Sequence, residues 1–419
     1  MESANSIRWS RILLVLLLLF AILEGGTRLG VFLWIGRPYR SFSPYMFLPD
    51  GGYWNNPDYT HPYFIHNSVG LRNTEEFSIE KPPNTIRILA IGHSALYSGV
   101  SDTPFGWPTR PHTDRLITSC LRKIMEKDPD FTGKRIEVMN AGLNLASLKE
   151  MTSNFMNNLS QYHPDVLIIF GSANHFLRVG EKRFPRPFVS ESNRIMGERF
   201  ELAANDNSLY GLAERFFRTT THYSAFFAAS HRVVDKILQK INAKITITAS
   251  QKNNSNSTVS QENLPLAECG NKYPVEKLDE VYTKYVAFLD AIFAFCEHYD
   301  IKPVLFWEYY LLNLYGVKPH SDYEKALSEY YIAQKASGGW NNTTQYFLIR
   351  DRIKEHLREK NIPVIDLFDD FQTCQETVFN DYLHYSESGN KWVAQRIYVR
   401  IKPLLLSWQN DSEYNAPRK

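Results

Sequence analysis

The chain has 419 residues, with 47 Lys and Arg against 45 Asp and Glu, and 43% of its residues are hydrophobic. That length is one large domain with insertions or two modest ones, and that apolar fraction excludes global disorder. A net charge of +2 with interspersed signs excludes a polyanion-binding field, so no nucleic-acid partner is expected. Cys120, Cys269, Cys296 and Cys374 form no C-x-x-C pair, which removes the zinc and dithiol spacings and leaves up to two bridges or buried thiols.

In chain order, Ile12 to Leu23 is an unbroken apolar run behind Arg8 and Arg11, and a second apolar run ends at Ile35. As one helix the stretch is about 36 Å long, enough to cross a bilayer core. Glu24 and Arg28 stand at i,i+4 between the two runs and can neutralise each other. A cleaved signal peptide is the rival reading, but no small-x-small cleavage site stands around Glu24-Gly25-Gly26, so an uncleaved single-pass anchor is expected over residues 1–36. Either way, the rest of the chain lies outside the cytoplasm if the short N-terminus stays inside.

Residues 37–84 form a Pro- and Tyr-rich connector. Thr85–Ile91 reads as a buried strand, followed by a helix around 114–127, a strand at 135–140 and a helix at 148–159. Further strands are predicted at 165–170, 302–307 and 362–367, with helices across 278–296, near 346–360 and at the C-terminus, before a polar tail at 409–419. Near-continuous apolar strands point to a parallel sheet covered on both faces. The expected fold is therefore a three-layer α/β/α sandwich over 85–408, with a helical insertion at about 178–275. Aromatic residues in that insertion, including Phe226 and Phe227, pack on the core or form a rim over a site, and 250–263 is too polar to bury anything.

Ligands of parallel sheets collect beyond the carboxyl ends of the strands. The segments there hold Gly92-His93-Ser94, Asn140-Ala141-Gly142, Gly171-Ser172-Ala173-Asn174-His175 and Asp381-Tyr382-Leu383-His384. A serine, a carboxamide and an Asp-x-x-His pair on one sheet edge are the parts of a nucleophile, an oxyanion donor and an oriented base. Each has a plainer reading: Ser94 as a helix cap, Asn174 as a turn residue, Asp381 and His384 as a surface turn. Glu308, just past the strand at 302–307, is expected to face the same edge, either lining a polar pocket or solvated.

Taken together these blocks resemble the SGNH hydrolases, the GDSL-lipase-like superfamily, and within it the bacterial membrane-anchored members. Arg87 to Ser94 is similar to the first block, Val138 to Gly142 to the second, Pro164 to Asn174 to the third, and Asp381 to His384 with Ser388-Gly389 to the last; Asn67 to Arg72 resembles the segment ahead of such domains. The resemblance implies an SGNH/flavodoxin-like fold and a serine esterase acting on O-acyl esters, O-acetyl groups included, of small molecules or of cell-envelope glycans or lipids. It implies Ser94 as nucleophile, His384 as base and Asp381 as its orienter. It also implies an oxyanion hole from the Ser94 N–H, the Asn174 amide and the Leu145 N–H, and no cofactor. The chain departs from the pattern at His93, where Asp or Gly is common, at His175, where Asp is common, and at Leu145, where the family has glycine. Three alternatives stay open: an acyltransferase of the same fold acting on an exported polysaccharide, an inert glycan-binding or assembly protein, and a metal site at His93, His175 and His384, whose spacing matches no zinc motif.

Overall fold

The computed structural model describes residues 2–35, 45–47, 53–57, 59–61, 64–99, 111–144, 146–171, 226, 274–333 and 343–410. Five parallel strands form the central sheet: β5 (Thr85–Gly92), β6 (Arg135–Gly142), β7 (Val166–Phe170), β8 (Lys302–Trp307) and β9 (Val364–Asp366), in the order β6-β5-β7-β8-β9. β5 and β7 are buried almost throughout, which is why their sequences are apolar without alternation. The strand order reverses direction between β5 and β7, and their carboxyl ends open the crevice in which folds of this topology place ligands.

Helices cover both faces, giving the α/β/α sandwich expected from the sequence. α3 (Ile117–Met125) packs against β6 and the C-terminal helix α9 (Glu387–Asn410), while α4 (Leu148–Asn154), α5 (Val275–His298) and α7 (Thr343–Glu359) pack together, as right-handed crossovers require. α5 presents Leu278, Val281, Tyr285, Leu289, Ile292 and Phe293 to the core. Full burial of such a side chain stabilises by roughly 1.5–3 kcal/mol. α4 starts where it does because Ser147 and Glu150 form a capping box, and it continues as a π-helical turn, Phe155–Leu159.

Arg87, inside apolar β5, is fully buried opposite Glu137 of β6, with Nε 2.6 Å from the carboxylate. Asp165 accepts the Arg87 N–H and the Lys81 ammonium. This charged network lies toward the amino ends of the strands, away from the crevice.

Part of the segment expected to be a connector is built into this body. Two hairpins, β1 (Tyr45–Phe47) with β2 (Tyr53–Asn55) and β3 (Thr60–His61) with β4 (Phe64–Ile65), lead to Leu71-Arg72-Asn73. There the Arg72 N–H donates to the Asn140 carbonyl, Asn73 Nδ2 to the Val138 carbonyl, and the Asn140 N–H to Asn73 Oδ1. The outer edge of β6 is thereby covered, which protects an otherwise open sheet margin.

α1 (Glu2–Ile35) contains an apolar stretch, Arg11–Gly30, long enough to cross a membrane and exposed along its length. Arg28 Nε bonds Glu24 Oε1 at 2.7 Å, the i,i+4 neutralisation expected, and the Phe226 N–H donates to Glu24 Oε2 at 3.0 Å. The rest of the expected insertion up to residue 273, including the polar stretch 250–263, and the tail from 411 lie outside the described residues.

Candidate active site

β5 ends at Gly92, and the chain turns directly into a single helical turn, α2 (Ser94–Tyr97). His93 caps that turn: its Nδ1 accepts the Ala95 N–H at 3.2 Å. Ser98 takes a left-handed conformation, and the Gly99 N–H returns to the Ser94 carbonyl at 2.7 Å, which brings Gly99 beside Ser94. Gly142 at the end of β6 lets this happen. A Cβ there would stand 2.5 Å from the Tyr97 backbone nitrogen, so the backbone of α2 rests on the strand end.

Asp381 and His384 lie in the loop between α8 (Phe368–Gln372) and α9. Asp381 is fully buried, and its Oδ1 accepts the N–H groups of Leu383 and His384, each at 2.8 Å. Its Oδ2 accepts from His384 Nδ1 at 2.7 Å, which leaves the lone pair on Nε2. Burial pushes the Asp381 pKa up, but attraction to the His384 ring and these hydrogen bonds outweigh it and hold the carboxyl below its usual range. A sealed ion pair fixes the loop from behind. Glu324 of α6 (Asp322–Ala333) accepts from Lys318 Nζ at 2.7 Å and from the N–H groups of Val378 and Phe379 at 2.9 and 3.2 Å. Tyr323 Oη adds a bond to the Asn380 carbonyl.

The two halves meet at Gly99. A Cβ built there would lie 3.0 Å from His384 Nε2, 3.1 Å from Ser94 Cβ and 3.1 Å from Asn144 Oδ1. Serine, imidazole and carboxamide therefore border one small space. Among the described residues His384 Nε2 has no hydrogen-bond partner, and the Ser94 hydroxyl oxygen lies 3.5 Å from His93 Nδ1.

Of the residues singled out in the sequence, Asp381 and His384 are bonded to each other, and Ser94 borders the same space as His384 without a hydrogen bond to it. Asn174, His175 and Leu145 lie outside the described residues. His93 and Glu308 do not line an open pocket; both are fully buried and bonded to each other, Nε2 to Oε2, at 2.7 Å. His93 Nε2 is taken by Glu308 and His384 Nδ1 by Asp381, and among the described residues no cluster of His, Cys, Asp or Glu is placed to hold a metal ion. Cys120, Cys296 and Cys374 are free thiols. Asn144 lies in the stretch that follows the second strand, Asn140 to Leu145, but no motif marks it there, and Gly99 carries no motif at all. Asn140 is tied up in structure, donating to the Leu96 carbonyl and Thr118 Oγ1 and accepting the Gly142 N–H.

No family model and no curated protein matches the sequence. Among solved structures, the chain is similar to a protein from Desulfitobacterium hafniense described as lipolytic and of the G-D-S-L family, at 12% identity and TM-score 0.34, covering 75% of this chain and 98% of that one. It is similar to the acetyl xylan esterase AlAXEase at 10% identity and TM-score 0.36, covering 74% and 98%. It is likewise similar to the acetylxylan esterase Axe2 from Geobacillus stearothermophilus at 12% identity and TM-score 0.36, covering 75% and 93%.

Proposed function

We propose that the protein is a serine hydrolase of O-acyl esters, tethered to a membrane by α1. The observation that carries this reading is the buried Asp381–His384 pair, whose Nε2 borders the same space as the Ser94 side chain across Gly99. Ser94 Oγ attacks the acyl carbonyl while His384 Nε2 takes its proton. Asp381 stays ionised, holds the Nδ1–H tautomer and stabilises the imidazolium. The Ser94 N–H, the Asn174 side-chain amide and the Leu145 N–H are the proposed oxyanion donors. His384 then returns the proton to the leaving alcohol, and water resolves the acyl-enzyme by the same base. A tethered domain outside the cytoplasm favours an ester of the cell envelope, and the proposed substrate class is an O-acylated, in particular O-acetylated, glycan.

The test is Ser94→Ala. Turnover of a short-chain p-nitrophenyl ester falls at least about 10³-fold, with melting nearly unchanged, because only a hydroxyl is removed. A Ser94→Ala protein with wild-type turnover refutes the assignment.

A further inference from the structure

Ser94 is flanked by a second imidazole–carboxylate pair. His93, at the end of β5, reaches across to Glu308, just past β8, and both side chains are wholly buried. The Glu308 backbone is pinned in turn, its carbonyl accepting from Tyr346 Oη of α7. The two contacts of the His93 ring define its protonation. Nδ1 accepts the Ala95 N–H, so it carries the lone pair, and Nε2 carries the hydrogen given to Glu308. The opposite tautomer would set an Nδ1–H against the Ala95 N–H, two donors facing each other, and would release the first turn of α2. A carboxylate at Glu308 prevents that, because it only accepts.

We propose that His93, locked by Glu308, is a positioning residue for Ser94: the pair fixes the Nε2–H tautomer, whose Nδ1 lone pair anchors α2 through the Ala95 N–H and faces the Ser94 hydroxyl. His93 has no exposed surface and acts through the placement of Ser94. The rate consequence rests on the hydrolase reading, whereas the tautomer does not.

The experiment uses the full chain in detergent micelles. Histidine-labelled ¹⁵N protein reports both ring nitrogens of His93, assigned with His93→Asn, and a fluorophosphonate titrates the serine so that kcat is expressed per reactive site. Wild type shows Nε2 protonated and Nδ1 bare. Glu308→Met, similar in size but unable to accept, gives a mixed tautomer and lowers kcat per titrated serine at least tenfold with KM within twofold of wild type. Glu308→Gln, whose carbonyl oxygen can still accept, recovers most of that loss. A merely structural role lowers melting temperature and titratable fraction but leaves kcat per site intact. A wild-type Nδ1–H tautomer, or a Glu308→Met protein with wild-type kcat per titrated serine, overturns the proposal. Failure of the hydrolase reading shows separately, as turnover that survives Ser94→Ala, and the tautomer measurement then still decides whether Glu308 locks His93.

Discussion

Replacing Gly99 by alanine tests the convergence of the site directly. The added methyl carbon would stand 3.0 Å from His384 Nε2 and 3.1 Å from both Ser94 Cβ and Asn144 Oδ1. These approaches are tighter than ordinary van der Waals contact, so at least one neighbour must give by a few tenths of an ångström. Gly99 does not occupy the left-handed region, so alanine brings no backbone strain. Overpacking costs about 1–3 kcal/mol and the stiffer unfolded chain offsets about 0.4–1 of that. The damage therefore falls on chemistry, since a misplacement of about 1 Å can cost 10²-fold in rate. We expect kcat per fluorophosphonate-titrated serine to fall about 3- to 10-fold, roughly 0.7–1.4 kcal/mol of transition-state stabilisation, with KM little changed. Progress curves on a short-chain p-nitrophenyl ester measure this. A folded Gly99→Ala protein with wild-type kcat would show that proton transfer between Ser94 and His384 does not pass through this space.

Asp381→Asn keeps the size of the side chain, but its one oxygen is claimed by the Leu383 and His384 N–H groups, so its NH2 faces His384 Nδ1 and selects the wrong tautomer. On the proposed reading kcat should drop by about 10³–10⁴-fold with little change in KM, read in the same assay. Because the Asp381 pKa is depressed in the fold, its stabilisation is complete above about pH 4 and is lost as pH falls through the lower folded value; the melting-temperature advantage of wild type over Asp381→Asn should shrink in that window. His66 works in the other pH range. Burial, and then the Arg72 charge, lower its pKa from 6.5 to about 3, with the Asn56 carbonyl and Tyr97 hydroxyl bonded to its two ring nitrogens. The unfolded chain therefore binds the extra proton below about pH 6.5, and denaturant titrations should show a loss of about 2 kcal/mol between pH 7 and pH 5 that His66→Gln abolishes. Glu324→Ala leaves Lys318 charged and sealed and removes the anchor of the Val378–Phe379 backbone, so it should cost about 3–5 kcal/mol in denaturant unfolding. An exposed-pair cost below about 1 kcal/mol would refute that reading.

The strands are legible in the sequence because parallel strands buried on both faces carry unbroken apolar runs, and Lys302–Trp307 matches its apolar run to the residue. Ser94 is legible for a related reason: in a wound sheet, the residues just past the carboxyl end of a strand lie on the working edge. The Asp381–His384 pair is legible from its three-residue spacing, because it lies in the loop beyond α8 and not at a strand end. Contacts that depend on which strands are neighbours are not. The His93–Glu308 pair joins two residues whose separation in sequence says nothing of their distance, and Glu308, expected to be solvated or pocket-lining, is sealed. Arg87 reads as part of an apolar strand, because its partner Glu137 becomes visible only with the β5–β6 register. The role of 71–73 is hidden for another reason. Backbone hydrogen bonds to a strand edge leave no trace in side-chain pattern, so a segment that completes the sheet reads as linker.

Ser94, the proposed nucleophile, follows the first strand of the central sheet, whereas His384, its proposed base, comes after the last. A nascent chain holds Ser94 without its proposed proton acceptor until the segment beyond the last strand has been made. On the proposed reading, a product that stops before Asp381 and His384 would be silent toward esters even where its sheet has begun to assemble.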